Sequence, residues 1–593
     1  MSAMTPRQVV LIAAAVAMAA VPAPVPAVAD TPTSNGTQPP LYFAFNPPGL
    51  CASCHGDYDN GHNVRPTTTW KGSMMANAGR DPIFWASLDV ANNDLPGIGE
   101  WCLRCHSPGG WLEGRAGPPI GSADGCSLNG ELDGENNDFE GLHCEFCHRM
   151  QINPDPPVGQ QPVYYENGQF WIDDESCNGN SEPCRKGPYD YHMTPAHTPP
   201  HPWESSQYHR DSDNCGNCHN VTNPLLTLID ENGIDTGVPV PIERTYMEWE
   251  QSSLSQPGPG FLTCQNCHMP DATHDPAYPS IFTEINRTGD LPIHELIGGN
   301  TWVPQVLKGE YPGLGRSAEY DATTAWAVEM LEASATVEVS ASGAVQAGDD
   351  FSFDVRVVNL SGHKLPTGYP EGRRMWLNVV IRDGSGTSLW QSGSWDPSTG
   401  VLTQDPQLKV YEVQPGIWNH EGSGECSAID SGGNPLFHFV LNNCVALDNR
   451  IPPAGFTGMN DIETRPVNYS YPETSPGSGI LVNHDDTSYT VQIPGSASGD
   501  LTVEATLQYQ TTSDDYVEFL LDQAVDNGFP DDCIPRSTGL PEMSRGEILH
   551  DVWTRYNKAP PVPMATASIP VSVGLFADGF ESGDSTAWSN TTP

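Results

Sequence analysis

Five segments of the form Cys-x-x-Cys-His constrain this chain more than anything else in it. They are Cys51-Ala-Ser-Cys54-His55, Cys102-Leu-Arg-Cys105-His106, Cys144-Glu-Phe-Cys147-His148, Cys215-Gly-Asn-Cys218-His219 and Cys264-Gln-Asn-Cys267-His268, and they use ten of the 16 cysteines. The pattern is the covalent attachment signature of c-type haem. Two thiols three positions apart add to the two vinyl groups of one porphyrin, and the adjacent imidazole meets the iron from the proximal side. A zinc site would pair such segments into four-ligand sets and would not need His after every second Cys. A redox dithiol appears once, in a compact α/β domain. Five copies therefore predict five covalent haems c, with the ten Cys as attachment points and His55, His106, His148, His219 and His268 as proximal iron ligands.

The motifs recur roughly every fifty residues, too short a spacing for independent domains. The porphyrins are then expected to supply much of the core, closely packed under a thin wrap of short helices and loops. Gln151 to Pro162 and Tyr191 to Trp203 read as such loops, in keeping with 58 Gly and 56 Pro.

Residues 1–29 read as a secretory signal: Arg7, an apolar run from Val9 to Val21, and Ala27-Val28-Ala29 before a cleavage point at Asp30. No later apolar run is long enough to span a bilayer. The expected location is the periplasm, the outside, or the cell surface, where disulfides persist. A formal charge of −48 excludes nucleic acid and anionic membrane surfaces as partners.

Each iron needs a sixth ligand or stays open. The segment before residue 300 offers His62, His143, His192, His197, His201, His209, His274 and His294. Position favours His62, seven residues after the first motif, His209 just ahead of the fourth, and His294 shortly after the fifth. His197 is also carried as a candidate, whereas His143 directly precedes Cys144 and is poorly placed to fold back on the same haem.

The stretch from about 49 to 305 resembles the multihaem cytochrome c superfamily that includes tetrahaem and octahaem electron carriers and pentahaem nitrite reductases. In that group a Trp-x-x-Ser-x-His-Ala segment often supplies a distal ligand. Here Trp70-Lys-Gly-Ser-Met-Met75-Ala76 has the same frame with Met75 in the His position, and the resemblance makes Met75 a candidate ligand that would raise the reduction potential. The Cys-His-Met-Pro run at 267 to 270 and the Gly-Gly-Asn run after His294 carry the same resemblance. The nitrite reductases mark their active haem with Lys in place of the motif His, and this chain has His in all five.

Beyond 305 the pattern changes. Ser317 to Ser334 reads as a bridging helix with Ala318, Ala322, Ala325 and Trp326 on its apolar face. Alternating runs then predict strands at Thr336 to Ser340, Phe351 to Val358, Trp376 to Ile381, Val410 to Val413, Phe437 to Leu441, Tyr489 to Ile493 and Leu501 to Tyr509. Helical stretches at Tyr516 to Asn527 and Glu542 to Tyr556 interrupt or cover them. The expected fold class is a multidomain chain: a haem-packed, mainly α and loop cytochrome domain, then an all-β sandwich-like domain with added helices. The divisions are signal 1–29, linker 30–48, pentahaem domain 49–305, linker helix 306–334, β domain 335–573 and tail 574–593. A basic cluster within Asn359 to Arg374 leaves two readings open. Either His363 reaches an iron while Lys364, Arg373 and Arg374 pair with haem propionates, or the loop pins two strands together.

Six further Cys predict three disulfides out of fifteen connectivities. Cys177–Cys184 and Cys426–Cys444 are the local choices, and Cys126–Cys533 would then tie the two halves. The acidic run Asp133 to Asp138 lacks the full calcium-loop signature.

Two functions follow. One is an electron carrier serving redox partner proteins or a surface acceptor, steered by its acidic surface, with the β domain free to dock a partner. The other is a multihaem oxidoreductase in which one open iron converts a small nitrogen or sulfur compound.

Overall fold

The structure, a computed structural model, describes residues 41–56, 64–117, 121–152, 166–192, 198–282 and 285–574. The expected signal, His62, His197, most of the loop from Gln151 and nearly all of the tail lie outside these residues. Among the described residues no helix is long and apolar enough to cross a membrane.

Alternation of apolar and polar residues puts one side of a strand into the core. Along Asp350–Asn359 it buries Phe351, Phe353, Val355 and Val357; along Leu501–Gln510 it buries Leu501, Val503, Ala505, Leu507 and Tyr509. One sheet has the order Ser388–Ser392, Arg374–Arg382, Leu501–Gln510, Val562–Val571, with Val410–Tyr411 also pairing Arg374–Arg382. A second is His484–Gln492, Asp350–Asn359, Ala335–Ala341, all antiparallel. Their inner faces share one apolar core. Phe437 to Leu441 is not a strand. It is irregular chain whose alternating aromatics reach helices: Phe437 meets Tyr516 and Phe519 edge-on, and His438 Nδ1 lies 2.7 Å from the Asp94 carboxylate.

The motif half is not only short helices and loops. It contains a long hairpin, Val221–Ile229 with Asp235–Glu243. Helix Ser317–Ser334 runs as expected but buries Tyr320, Thr323, Ala327 and Leu331, whereas Ala318 and Ala325 face solvent. The Tyr320 hydroxyl donates to Asn77 Oδ1 at 3.0 Å, which turns that face inward. Gly72 lets this helix approach, since a Cβ there would sit 2.3 Å from the Glu319 carbonyl oxygen.

Helices Asp514–Asn527 and Arg545–Arg555 pack on each other and on Pro82–Asp94 of the motif half. Disulfides join Cys126–Cys533, Cys177–Cys184 and Cys426–Cys444.

Arg80 and Arg316 flank the buried Glu140, at 3.3 and 2.9 Å. Burial raises the Glu140 pKa, but the two guanidiniums outweigh it and hold the carboxyl below its ordinary value. The stabilisation is therefore complete above the usual carboxylate range and lost as pH falls through the lowered value. Glu140→Gln removes the carboxylate that pairs with Arg80 and leaves Arg316 its second partner, Glu135 at 3.2 Å; it is expected to cost about 3–5 kcal/mol at neutral pH, read by denaturant unfolding.

Candidate functional site

A helix places residues i, i+3 and i+4 on one face, so Cys-x-x-Cys-His written on a helix presents both thiols and the imidazole together. Four motifs end or lie in such helices: Pro48–His55, Gly99–His106, Cys144–Arg149 and Cys264–His268. The fourth begins in the turn Asp213–Gly216. His143 caps the third helix, its Nδ1 accepting from the Phe146 amide at 3.4 Å. Thr263 and Asn266 form a capping box on the fifth.

All fifteen motif residues line one cavity of about 1730 Å³, well above the ~300–1,000 Å³ of an ordinary small-ligand site. The three disulfides use only cysteines outside the motifs, and the ten motif thiols remain free. Burial pushes Cys102 and Cys147 up to about 12, whereas Cys51 and Cys264 are lowered, each chiefly by a hydrogen bond from a thiol of another motif.

Each of the five motif imidazoles is hydrogen-bonded through Nδ1. Nδ1 of His55 donates to the Pro279 carbonyl at 2.7 Å, His106 to Ala78 at 3.4 Å, His148 to Lys186 at 2.6 Å, and His268 to Ile297. A carbonyl only accepts, so the proton sits on Nδ1 and the Nε2 lone pair is left for a metal. Desolvation holds His106 and His268 down at about 4, neutral and fit to ligate. His219 differs. Its Nδ1 pairs with the Glu243 carboxylate at 3.0 Å, and half of its side-chain surface remains open along the cavity. Desolvation acts to lower it, yet Glu243 wins and holds it at about 9. Glu243 ends the hairpin strand Asp235–Glu243 and was not marked by the sequence.

The motifs are close to one another. The thiols of Cys51 and Cys144, Cys105 and Cys218, and Cys215 and Cys264 lie within hydrogen-bond reach. The first motif thus adjoins the third, and the fourth adjoins both the second and the fifth.

Of the expected sixth-ligand residues, His294 faces His148 with ring centroids 6.3 Å apart and planes 28° from parallel, its Nδ1 donating to Pro292 at 3.0 Å. His209 also stacks on His148, at 5.6 Å, but its Nε2 is turned to the Cys147 carbonyl at 2.9 Å. Met75 and His201 line the cavity, while His192 is exposed. In the basic cluster, Lys364 pairs with Asp448 at 2.7 Å and Arg374 with Asp514 at 3.0 Å. Arg373 and His363 line the cavity. In the acidic run, Asp133 accepts from the Ser537 amide and Asp138 pairs with Arg115.

No protein-family model matches the chain, and no curated protein does. Among solved structures, a penta-haem cytochrome c552 from Thermochromatium tepidum aligns over 88% of this chain and 98% of its own, with a TM-score of 0.44 and 19% identity.

Proposed function

We propose that this chain is an exported pentahaem c-type cytochrome that passes electrons along closely packed haems. The observation that carries the reading is the single cavity lined by all fifteen motif residues, with each motif imidazole anchored through Nδ1. The donor set fits haem: paired thiols for two thioether bonds and a neighbouring Nε2 for the iron. Bound haem supplies the one-electron chemistry. The protein supplies attachment, orientation and exclusion of water, and the thiol interactions support the first motif as a neighbour of the third and the fourth as a neighbour of the second, third and fifth. Export is supported by the reading of residues 1–29 and by three disulfides, which belong to oxidising compartments. The acidic surface favours a basic protein partner or a surface acceptor.

For the iron bound by His148, we assign His294 as the sixth ligand. His294 would hold that iron through Nε2, because its Nδ1 donates to the Pro292 carbonyl and leaves the other ring nitrogen with its lone pair. The two ring centroids are 6.3 Å apart.

The second reading, an oxidoreductase with an open iron, draws on one feature. Tyr369, Glu371 and Arg373 line the same cavity, and burial pushes Glu371 up to about 8, a carboxylic acid able to donate a proton.

Intact mass of the native protein is expected to exceed the chain mass by five haems, and dithionite is expected to give sharp ferrous bands. Absence of added mass ends the proposal. Oxidised wild type with only low-spin iron by EPR supports the carrier; a high-spin signal moved by nitrite or cyanide supports the oxidoreductase. His294→Ala is expected to retain five haems and convert one of them to high spin.

A further inference from the structure

Among the described residues, one imidazole of the β-rich half stands opposite a motif histidine. His363 lies in the loop after strand Asp350–Asn359, with its ring centroid 6.4 Å from that of His268 and the planes 19° apart. The separation leaves room for one metal ion bound by two nitrogens at about 2 Å each, and the His148–His294 pair is similarly spaced at 6.3 Å. The protons are placed accordingly. His363 Nδ1 donates to the Lys364 carbonyl at 3.0 Å and His268 Nδ1 to Ile297, so both rings keep the Nε2 lone pair. Both side chains line the motif cavity.

We propose that His363 is the sixth ligand of the iron that His268 would hold in the haem attached at Cys264 and Cys267, so that the β-rich half completes a metal centre of the motif half. The inference rests on the haem reading of the cavity given above.

The loop is built to hold that position. Asn359 Nδ2 donates to the carbonyls of His363 and Ile451 at 2.8 and 2.9 Å, and Ser361 Oγ donates to the His363 carbonyl at 2.8 Å. The Lys364 amide donates to Glu248 at 3.2 Å, and Arg450 bridges Glu248 and Asp448 at 2.9 and 2.7 Å. Glu248 sits on helix Thr245–Glu250 of the motif half, buried completely. Gly362 packs against that half so closely that a Cβ would lie 3.1 Å from Leu254 and 3.3 Å from Trp249. A loop that only joined two strands would not need a buried charged network tying it to the opposite half. Metal ligands are commonly supported by such outer hydrogen bonds.

The test uses full-length protein matured in its native export route, with intact mass taken first. Fewer than five haems on the wild type overturns the haem reading itself, before any variant is considered. His363→Ala with five haems is expected to show one of five irons high-spin by EPR, returned to low spin by added imidazole. His363→Met is expected to keep five haems low-spin, gain a His/Met charge-transfer band in the near infrared, and raise the midpoint potential of one haem. Five low-spin haems in His363→Ala, or a His363→Met protein with an unchanged near-infrared spectrum and potentials, overturns the assignment while leaving the haem reading intact.

Discussion

A chain cut after Ser334 is expected to yield no stable haem protein, although every motif lies before the cut. One apolar cluster is shared across that point: Trp302, Val303, Val306 and Leu307, with Ala86 and Val90, pack against Tyr516, Val517, Leu520, Leu549, Val552 and Trp553. Exposing five large side chains of the motif half costs about 1.5–3 kcal/mol each, roughly 7–15 in all as an upper figure. That equals the whole stability of an ordinary domain, about 5–15 kcal/mol. The cut also removes Arg545, which pairs with Asp89 at 2.8 Å and donates to the Asp124 carbonyl at 2.7 Å. It removes the Cys126–Cys533 disulfide as well. Secretion of the truncated chain, followed by haem staining and proteolysis, measures the outcome; a protease-resistant fragment with five haems would show that the motif half folds alone. Keeping Asp514–Arg555 by an internal deletion of the sheets is expected to restore part of the yield, because those helices rather than the strands cover Pro82–Asp94.

The contrast between what the chain's letters reveal and what they hide has a physical basis. The motifs are local: thioether chemistry demands Cys at i and i+3 with His at i+4, and a helix delivers that without help from elsewhere. The inner strands were legible because one-sided burial writes a period of two, as in Phe351 to Val357. Edge strands hid themselves. Val562–Val571 carries Pro563 and Pro570 among small residues, tolerated because it pairs on one side only. The hairpin carries Pro224, Pro239 and Pro241, again admitted where there is a free edge. Phe437 to Leu441 alternates for a different reason, anchoring a loop on two helices. Glu243 stands 24 residues beyond the imidazole it meets, and no local pattern records a contact made by the closing of a hairpin.

That contact sets the last prediction. Four motif imidazoles donate to neutral backbone carbonyls, and only His219 donates to a carboxylate. A partner carboxylate draws the proton from Nδ1 and raises the basicity of Nε2. A more basic ligand stabilises ferric iron over ferrous, so the haem of the fourth motif is expected to have a potential lower than an equally ligated neighbour. Glu243→Gln keeps an oxygen that can accept the same hydrogen bond and removes the charge. The midpoint of one haem is then expected to rise by on the order of 60 mV, the one-electron equivalent of a tenfold change in equilibrium constant, with the other four nearly unmoved. The thiol contacts put this motif against both the second and the fifth, so the shift changes the driving force of two adjacent transfers in opposite senses: entry becomes more favourable and exit less so. Spectroelectrochemical titration of the five-haem variant reads the potential, and flash reduction reads the two rates. Five unchanged midpoints would mean that the carboxylate only orients the ring, and the electrons would then cross the fourth motif no differently from the rest.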